Sequence, residues 1–106
     1  MGFFDFVKAP DINAGVQQFE THPRAVLLDV RTREEYAQGH IPGSRNLPLD
    51  EISRAAREIP DRDTPLFVYC LSGARSRQAV SALRRMGFAQ AANIGDISGY
   101  RGKMEE

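Results

Sequence analysis

Two almost uninterrupted apolar runs constrain the fold of this chain more than any other feature. Residues 25–30 read AVLLDV and residues 66–70 read LFVYC, and in neither run do apolar and polar residues alternate. A strand with one solvent-exposed face shows such alternation, whereas a strand covered on both faces does not. The two runs therefore predict central strands of a parallel sheet that has helices on both sides.

Segments with helical spacing alternate with these strands. Three segments repeat apolar residues at that spacing: residues 11–20, 50–59 and 76–86. Thr32 and Glu35 have the spacing of a capping box, which predicts a short helix over residues 33–38. Short strands are expected at residues 45–47 and 91–94. We therefore expect a three-layer α/β fold, with a central, mainly parallel sheet of four or five strands and right-handed crossovers.

Length and charge limit the domain count and the class of partner. The chain of 106 residues suffices for one domain, with its core over residues 11–102 and an N-terminal extension over residues 1–10. We expect Phe3, Phe4 and Phe6 of this extension to cover the domain's own core. Fourteen Lys and Arg balance fourteen Asp and Glu, so no global field attracts nucleic acid or anionic lipid. We expect a monomer or weak homodimer, without a nucleic-acid or membrane partner.

The chain has a single cysteine, Cys70. One cysteine cannot form an intramolecular disulfide, and no Cys/His cluster has the spacing of metal ligands. A reducing compartment is the default for such a chain. No apolar run is as long as a membrane span, and the first residues lack the pattern of a cleavable signal. We therefore expect a cytoplasmic protein without a metal or other cofactor.

Cys70 lies at the carboxyl end of a buried strand, where open parallel sheets bind their ligands. Residues 71–75 form a short loop before the next helix, so several backbone N–H groups can converge on one point and hold an anion. Gly73 allows the loop to curl with a positive φ, and the Ser76 hydroxyl is suited to cap the helix. The loop therefore predicts an anion cradle around Cys70.

A thiol at this position is stabilised as a thiolate by the helix dipole, by N–H donors and by a nearby guanidinium. We expect Cys70 to be largely ionised at neutral pH. The alternative is that Cys70 is an inert apolar residue, which is common for a lone cysteine at the end of an apolar strand. The polar residues, the glycine and the arginine that follow it favour the reactive cysteine, because packing alone explains none of them.

Two motifs carry a resemblance to a known family. Residues 70–76, CLSGARS, resemble the active-site loop of rhodanese-type sulfurtransferases, with the Cys-x4-Arg spacing of their single-domain members. Residues 29–48, DVRTREEYAQGHIPGSRNLP, resemble the rhodanese signature D-x-R-x-x-x-E-Y-x-x-G-H-I-P-G-[AS]-x-N. The resemblance implies a rhodanese-like domain. It also implies that Cys70 takes a sulfane sulfur from thiosulfate or a persulfide, holds it as a persulfide, and passes it to cyanide, a thiol or a protein.

This resemblance names a set of candidate site residues. Cys70 is the expected nucleophile, and the expected substrate-binding residues are those of the loop together with one upstream arginine: Leu71, Ser72, Gly73, Ala74, Arg75, Ser76 and Arg31. Arg31 matches the basic residue of the D-x-R motif. We weigh a substrate contact of Arg31 evenly against a structural ion pair with the region of Glu34 and Glu35.

Two other functions remain open. One is a regulatory or binding module that keeps the fold without turnover, although the presence of Cys70 and Arg75 favours chemistry. The other is a cysteine-dependent phosphatase or arsenate reductase of the Cys-x5-Arg type. The present loop is one residue shorter, so its cradle fits a single sulfur better than a tetrahedral phosphate. The loop also has no carboxylic acid to protonate a leaving oxygen.

Three positions depart from the family pattern. Leu71 stands where the family often has a basic residue, which predicts a modest affinity for a small dianion such as thiosulfate. Asp96 and Tyr100 stand where the usual G-G-x-x-x-W segment has its second glycine and its tryptophan. We expect the Asp96 carboxylate to face outward from the loop rather than into the pocket.

Overall fold

Four parallel strands form one sheet in residues 11–106, the part of the chain that a computed structural model describes. The strands are β1 (Val26–Asp29), β2 (Ser44–Asn46), β3 (Leu66–Cys70) and β4 (Ala91–Asp96). Their order across the sheet is β2-β1-β3-β4, so the two apolar runs form the central strands. The predicted parallel sheet is thereby confirmed. The expected extension, with its phenylalanines, lies outside the described residues.

Helices connect the strands and cover both faces of the sheet. Four of them are α-helical: α1 (Ile12–Glu20), α2 (Arg33–Gln38), α3 (Ala55–Glu58) and α4 (Ala74–Arg85). Ile12 and Val16 of α1 pack on one face in a buried cluster with Tyr69 of β3. Leu83 of α4 packs on the other face, in a second cluster that contains Cys70. The chain therefore has the three layers that the sequence predicts.

The short helix α2 forms where its capping box predicts. The Thr32 hydroxyl accepts a hydrogen bond from the Glu35 N–H, and the Glu35 carboxylate accepts one from the Thr32 N–H. These bonds satisfy backbone donors that the first turn of a helix leaves free. The carboxylate of Glu35 is thereby held above the carboxyl end of the sheet, close to the start of α4.

The prediction of one continuous amphipathic helix over residues 50–59 is wrong in its helix type. Residues Leu49–Arg54 form a 3-10 helix, and only the four residues of α3 are α-helical. The chain is bound here to the residue that follows β1, because the Leu49 N–H donates to the Val30 carbonyl. Glu51 then leaves helical geometry, with φ −118° and ψ 18°, which interrupts a continuous α-helix. The helical spacing of apolar residues alone does not reveal such a hydrogen bond to a distant segment.

Within residues 11–106, no helix has both the length and the apolar character needed to cross a membrane. A second 3-10 helix (Ile97–Gly99) follows β4.

Candidate active site

Cys70 is the last residue of β3, and its side chain is fully buried. Its Sγ accepts hydrogen bonds from the backbone N–H of Gly73 at 2.9 Å and from that of Ser76 at 3.2 Å. Gly73 belongs to the turn that leads from β3 into α4, and Ser76 belongs to the first turn of α4. The predicted convergence of backbone N–H groups on the cysteine sulfur is therefore present in the structure.

Gly73 forms the bend that brings these donors to the sulfur. It occupies the position before the first residue of α4, Ala74, and adopts the left-handed conformation with φ 89° and ψ −20°. Helix α4 thus begins two residues before the Ser76 start that the sequence predicts. Because α4 runs for 12 residues, the positive end of its dipole faces the region of Cys70.

The expected helix-capping role of Ser76 is wrong. Gly73 takes the cap position, and Ser76 lies buried in the first turn of α4. Its Oγ lies 3.4 Å from Sγ of Cys70, 3.0 Å from the Gly73 carbonyl oxygen and 2.8 Å from Oδ1 of Asn93. The Ser76 side chain is therefore part of the surroundings of the sulfur, rather than a cap.

Asn93 is a site residue that the sequence reasoning missed. It lies on β4, and its Oδ1 accepts the Ser76 hydroxyl and the Gly95 N–H, the latter at 2.9 Å. The register between β3 and β4 shifts at this point, since Asn93 pairs with Val68 but Gly95 pairs with Tyr69. The only sequence signal was one polar residue inside the predicted strand AANI.

Arg75 extends from the first turn of α4 and forms a bidentate ion pair with Glu35. Its Nη1 and Nη2 lie 2.8 Å and 3.0 Å from the two carboxylate oxygens. The hydrogen bonds from Arg75 lower the pKa of Glu35 from 4.5 to about 2, against the effect of burial. The same hydrogen bonds raise the pKa of Arg75, and charge on Cys70 acts in the same direction. Arg75 is therefore a fixed cation within electrostatic range of the sulfur.

Arg31 is held inside the fold by another carboxylate. Its guanidinium donates to Asp29 at 2.7 to 3.0 Å and to the Gly39 carbonyl at 2.7 Å. Burial opposes the charge of Arg31, but the hydrogen bonds and the charge of Asp29 raise its pKa. Arg31 thus forms its ion pair with Asp29. The expected alternative to a substrate contact, an ion pair with the region of Glu34 and Glu35, is wrong in its partner. A substrate contact of Arg31 stays a prediction.

A cleft of about 440 Å³ adjoins Arg75. Its walls are mainly apolar and are formed by Val30, Thr32, Pro48, Leu49, Asp50 and Arg75. Leu71 and Ser72, the first two residues after the cysteine, are exposed on the loop. Within residues 71–76, the loop that follows Cys70, Arg75 is the one basic residue.

Two of the three departures from the family pattern, Asp96 and Tyr100, lie at the end of β4 and just after the 3-10 helix that follows it. The Asp96 carboxylate accepts hydrogen bonds from the N–H and the hydroxyl of Ser98, at 2.8 and 2.6 Å. It therefore caps the following 3-10 helix. Tyr100 packs against the α1 side of the sheet, which is the face opposite α4.

Comparisons with known proteins agree on one family. Residues 13–102 match the family model of the Rhodanese-like domain. The chain is 39% identical over 71 residues to "Thiosulfate sulfurtransferase PspE" of Escherichia coli, covering 66% of this chain and 68% of that protein. It is 34% identical over 96 residues to "Thiosulfate:glutathione sulfurtransferase" of Homo sapiens, covering 78% and 82%.

A solved structure shares the fold. The "rhodanese with anions from E. coli" superimposes with a TM-score of 0.72 at 34% identity, over 77% of this chain and 98% of that one. The chain spans between 44% and 68% of the length of the first four curated relatives. The sequence motifs, the parallel sheet and the family match together show that this chain belongs to the rhodanese-like domain family.

Proposed function

We propose that this chain is a sulfurtransferase that moves a sulfane sulfur from a donor to a thiophilic acceptor through a persulfide on Cys70. The observation that carries the proposal is the pair of backbone N–H groups, of Gly73 and Ser76, on Sγ of Cys70. These donors and the dipole of α4 stabilise negative charge on the sulfur. The thiolate is the nucleophilic form of cysteine, so the site is built for attack by Cys70.

The reaction has two steps that need no cofactor. In the first step, the Cys70 thiolate attacks the outer sulfur of the donor, and the donor's S–S bond breaks. The bonding electrons leave with sulfite, when the donor is thiosulfate, or with a thiolate, when it is a persulfide. In the second step, cyanide or a thiolate attacks the outer sulfur of the Cys70 persulfide. Cys70 then leaves as a thiolate into the same N–H donors.

Burial of Cys70 determines how a donor approaches. The side chain has no exposed surface and belongs to a buried cluster that includes Val30 and Val68. Leu71 and Ser72 are exposed on the loop side. We therefore propose that the donor reaches Sγ from the loop side, with a shift of residues 71–73.

The loop and its arginine form the proposed substrate site. Arg75 attracts an anionic donor, and the backbone of residues 71–76 receives the charge that develops on the transferred sulfur. The proposed donors are thiosulfate or a persulfide, and the proposed acceptors are cyanide, a thiol or a protein. Arg31 remains a proposed contact. The protein is proposed to work in the cytoplasm as a monomer or weak homodimer, without nucleic acid or a membrane.

Mass spectrometry of the intact protein tests the proposal. Exposure to thiosulfate or to glutathione persulfide should add one sulfur atom to the wild-type chain, and cyanide or dithiothreitol should remove it. Because Cys70 is the single cysteine, the Cys70→Ser variant is a complete control. Absence of the adduct in wild type with a free thiol contradicts the proposal. Phosphate release from an aryl phosphate that Cys70→Ser abolishes indicates a phosphatase instead.

A further inference from the structure

The strongest unexplained feature near the site is the buried hydroxyl of Ser76 between Cys70 and Asn93. Ser76 has one hydroxyl proton and three acceptors within reach: Sγ of Cys70, the Gly73 carbonyl and Oδ1 of Asn93. The shortest of these three distances is the 2.8 Å to Asn93. The direction of this single proton therefore decides whether the hydroxyl donates to the sulfur or presents a lone pair to it.

The orientation of the Asn93 amide is fixed by a second donor. The Gly95 N–H lies 2.9 Å from the same Asn93 atom that faces Ser76. A backbone N–H needs an acceptor, so this atom is the amide oxygen and not the amide nitrogen. Because this oxygen can only accept, the Ser76 hydroxyl donates to it at 2.8 Å, with the Gly73 carbonyl at 3.0 Å as a second acceptor. The hydroxyl oxygen accepts the Cys70 S–H.

We infer that Asn93 is a positioning residue that competes with the Cys70 sulfur for the Ser76 hydroxyl. When Cys70 is a thiol, or when its Sγ is the neutral inner sulfur of a persulfide, the hydroxyl donates to Asn93. When Cys70 is a thiolate, the hydroxyl turns and donates to Sγ. The inference rests on the proposed function, since only sulfur transfer moves the charge repeatedly between Sγ and the outer sulfur.

When the Ser76 hydroxyl rotates from Asn93 to Sγ, no buried atom is left without a hydrogen-bond partner. Oδ1 of Asn93 keeps the Gly95 N–H when Ser76 turns away, and the Gly73 carbonyl is a further acceptor on the path. The exchange therefore replaces one hydrogen bond by another, and a hydrogen bond to the charged sulfur is the stronger of the two. The balance between the two positions sets how readily Cys70 ionises.

Charged groups on the neighbouring elements also influence the ionisation of Cys70. The substitutions at Ser76 and Asn93 used in the test below leave these groups unchanged. Arg75 on α4 is paired with Glu35 of α2. Asp96 of β4 is opposite Cys70 in the strand register, and its carboxylate is bound by Ser98. On the β1 side, the Asp29 carboxylate is bound by Arg31. Comparison of variants that leave all of these unchanged isolates the effect of the hydroxyl.

The test is a pH titration of the thiolate absorbance in the ultraviolet, with Cys70→Ser as the blank. This signal belongs to one sulfur, because the chain has one cysteine. Asn93→Leu removes the competing acceptor and should lower the pH midpoint by roughly half a unit to one unit. Ser76→Ala removes the donor to the thiolate and should raise the midpoint by a similar amount.

The double variant separates positioning from structure. If Asn93 acts through the hydroxyl, adding Asn93→Leu to Ser76→Ala produces no further shift. If Asn93 only supports the register shift of β4, its substitution moves the midpoint equally with and without Ser76, and this result overturns the inference. An unchanged midpoint in the single Asn93→Leu variant also overturns it.

A control variant and the sulfur adduct complete the experiment. Asn13 also ties backbone groups through its side chain, to the Gly99 carbonyl and the Arg101 N–H, and it lies on α1 on the opposite face of the sheet. Asn13→Leu should leave the midpoint unchanged, and an equal shift there counts against a specific role of Asn93. The titration needs no sulfur donor, so its outcome is independent of whether the persulfide forms.

Discussion

Replacement of Gly73 by alanine tests the backbone geometry on which the sulfur cradle depends. Gly73 has φ 89° and ψ −20°, within the left-handed region. An alanine in this region costs roughly 1–2 kcal/mol, because its Cβ approaches the following carbonyl oxygen. A Cβ at Gly73 would meet no atom within 4 Å, so no steric term is added. The expected loss in the free energy of unfolding is therefore about 1–2 kcal/mol.

Urea and thermal unfolding measure this loss. For a chain of this size the melting temperature should fall by roughly 4–10 °C in Gly73→Ala. Asparagine tolerates the left-handed region better than alanine does, so Gly73→Asn should lose less stability. If the strain shifts the Gly73 N–H away from Sγ, both variants should also form the Cys70 persulfide more slowly.

Gly15 is a matched control with a different physical constraint. It lies inside α1, and a Cβ there would approach the Ile94 Cβ to 2.5 Å. The cost at this position is steric and grows with side-chain size, so Gly15→Asn should be less stable than Gly15→Ala. The order of alanine and asparagine is thus opposite at the two glycines. Wild-type stability of Gly73→Ala, or the same order at both positions, refutes the left-handed geometry of the loop.

Three further substitutions test the charges around the site. Arg75→Ala should lower kcat/KM for thiosulfate at least tenfold, which corresponds to a loss of about 1.4 kcal/mol in transition-state stabilisation. Arg77 is an exposed neighbour, so Arg77→Ala should have little effect. Equal losses in the two variants contradict a specific role of Arg75. Leu71→Arg should lower KM for thiosulfate with little change in kcat, and an unchanged KM contradicts the proposed effect of Leu71. Because Arg75 holds the pKa of Glu35 at about 2 instead of 4.5, the carboxylate stabilises the fold fully above pH 4.5 and progressively less toward pH 2. The stability difference between wild type and Glu35→Gln should therefore shrink over this range, and a constant difference contradicts the ion pair.

The sheet and most helices were predictable because their signals are local. The two apolar runs identify β1 and β3, and the capping box over Thr32 and Glu35 marks α2 with its observed bounds. The segment from residue 49 to residue 58 was not predictable to the same degree. Its helical spacing is real, but the Leu49 N–H donates to the Val30 carbonyl, which lies outside the segment, and the 3-10 helix begins at this residue.

The same distinction applies to the site. The loop from Cys70 to Ser76 is a contiguous motif, so its N–H donors were predictable from spacing. Asn93 is 17 residues from Ser76, and it meets the hydroxyl only because β4 lies next to β3 in the sheet. No residue pattern along the chain encodes such a contact between neighbouring strands. The role of Ser76 was mistaken for the same reason, since its main partner was not visible.

The pairing of Glu35 with Arg75 joins the two sequence motifs into one site. These residues are 40 positions apart, and Glu35 is recognisable from sequence only as the capping residue of α2. Its Oε1 accepts both the Thr32 N–H and Nη1 of Arg75. The carboxylate therefore connects the first turn of α2 to the first turn of α4, which supplies the donors to Cys70. A bidentate ion pair restricts orientation as well as distance, so α2 fixes the direction of the Arg75 guanidinium. The upstream motif therefore positions the arginine of the downstream loop, which the proposed function assigns to the anionic donor.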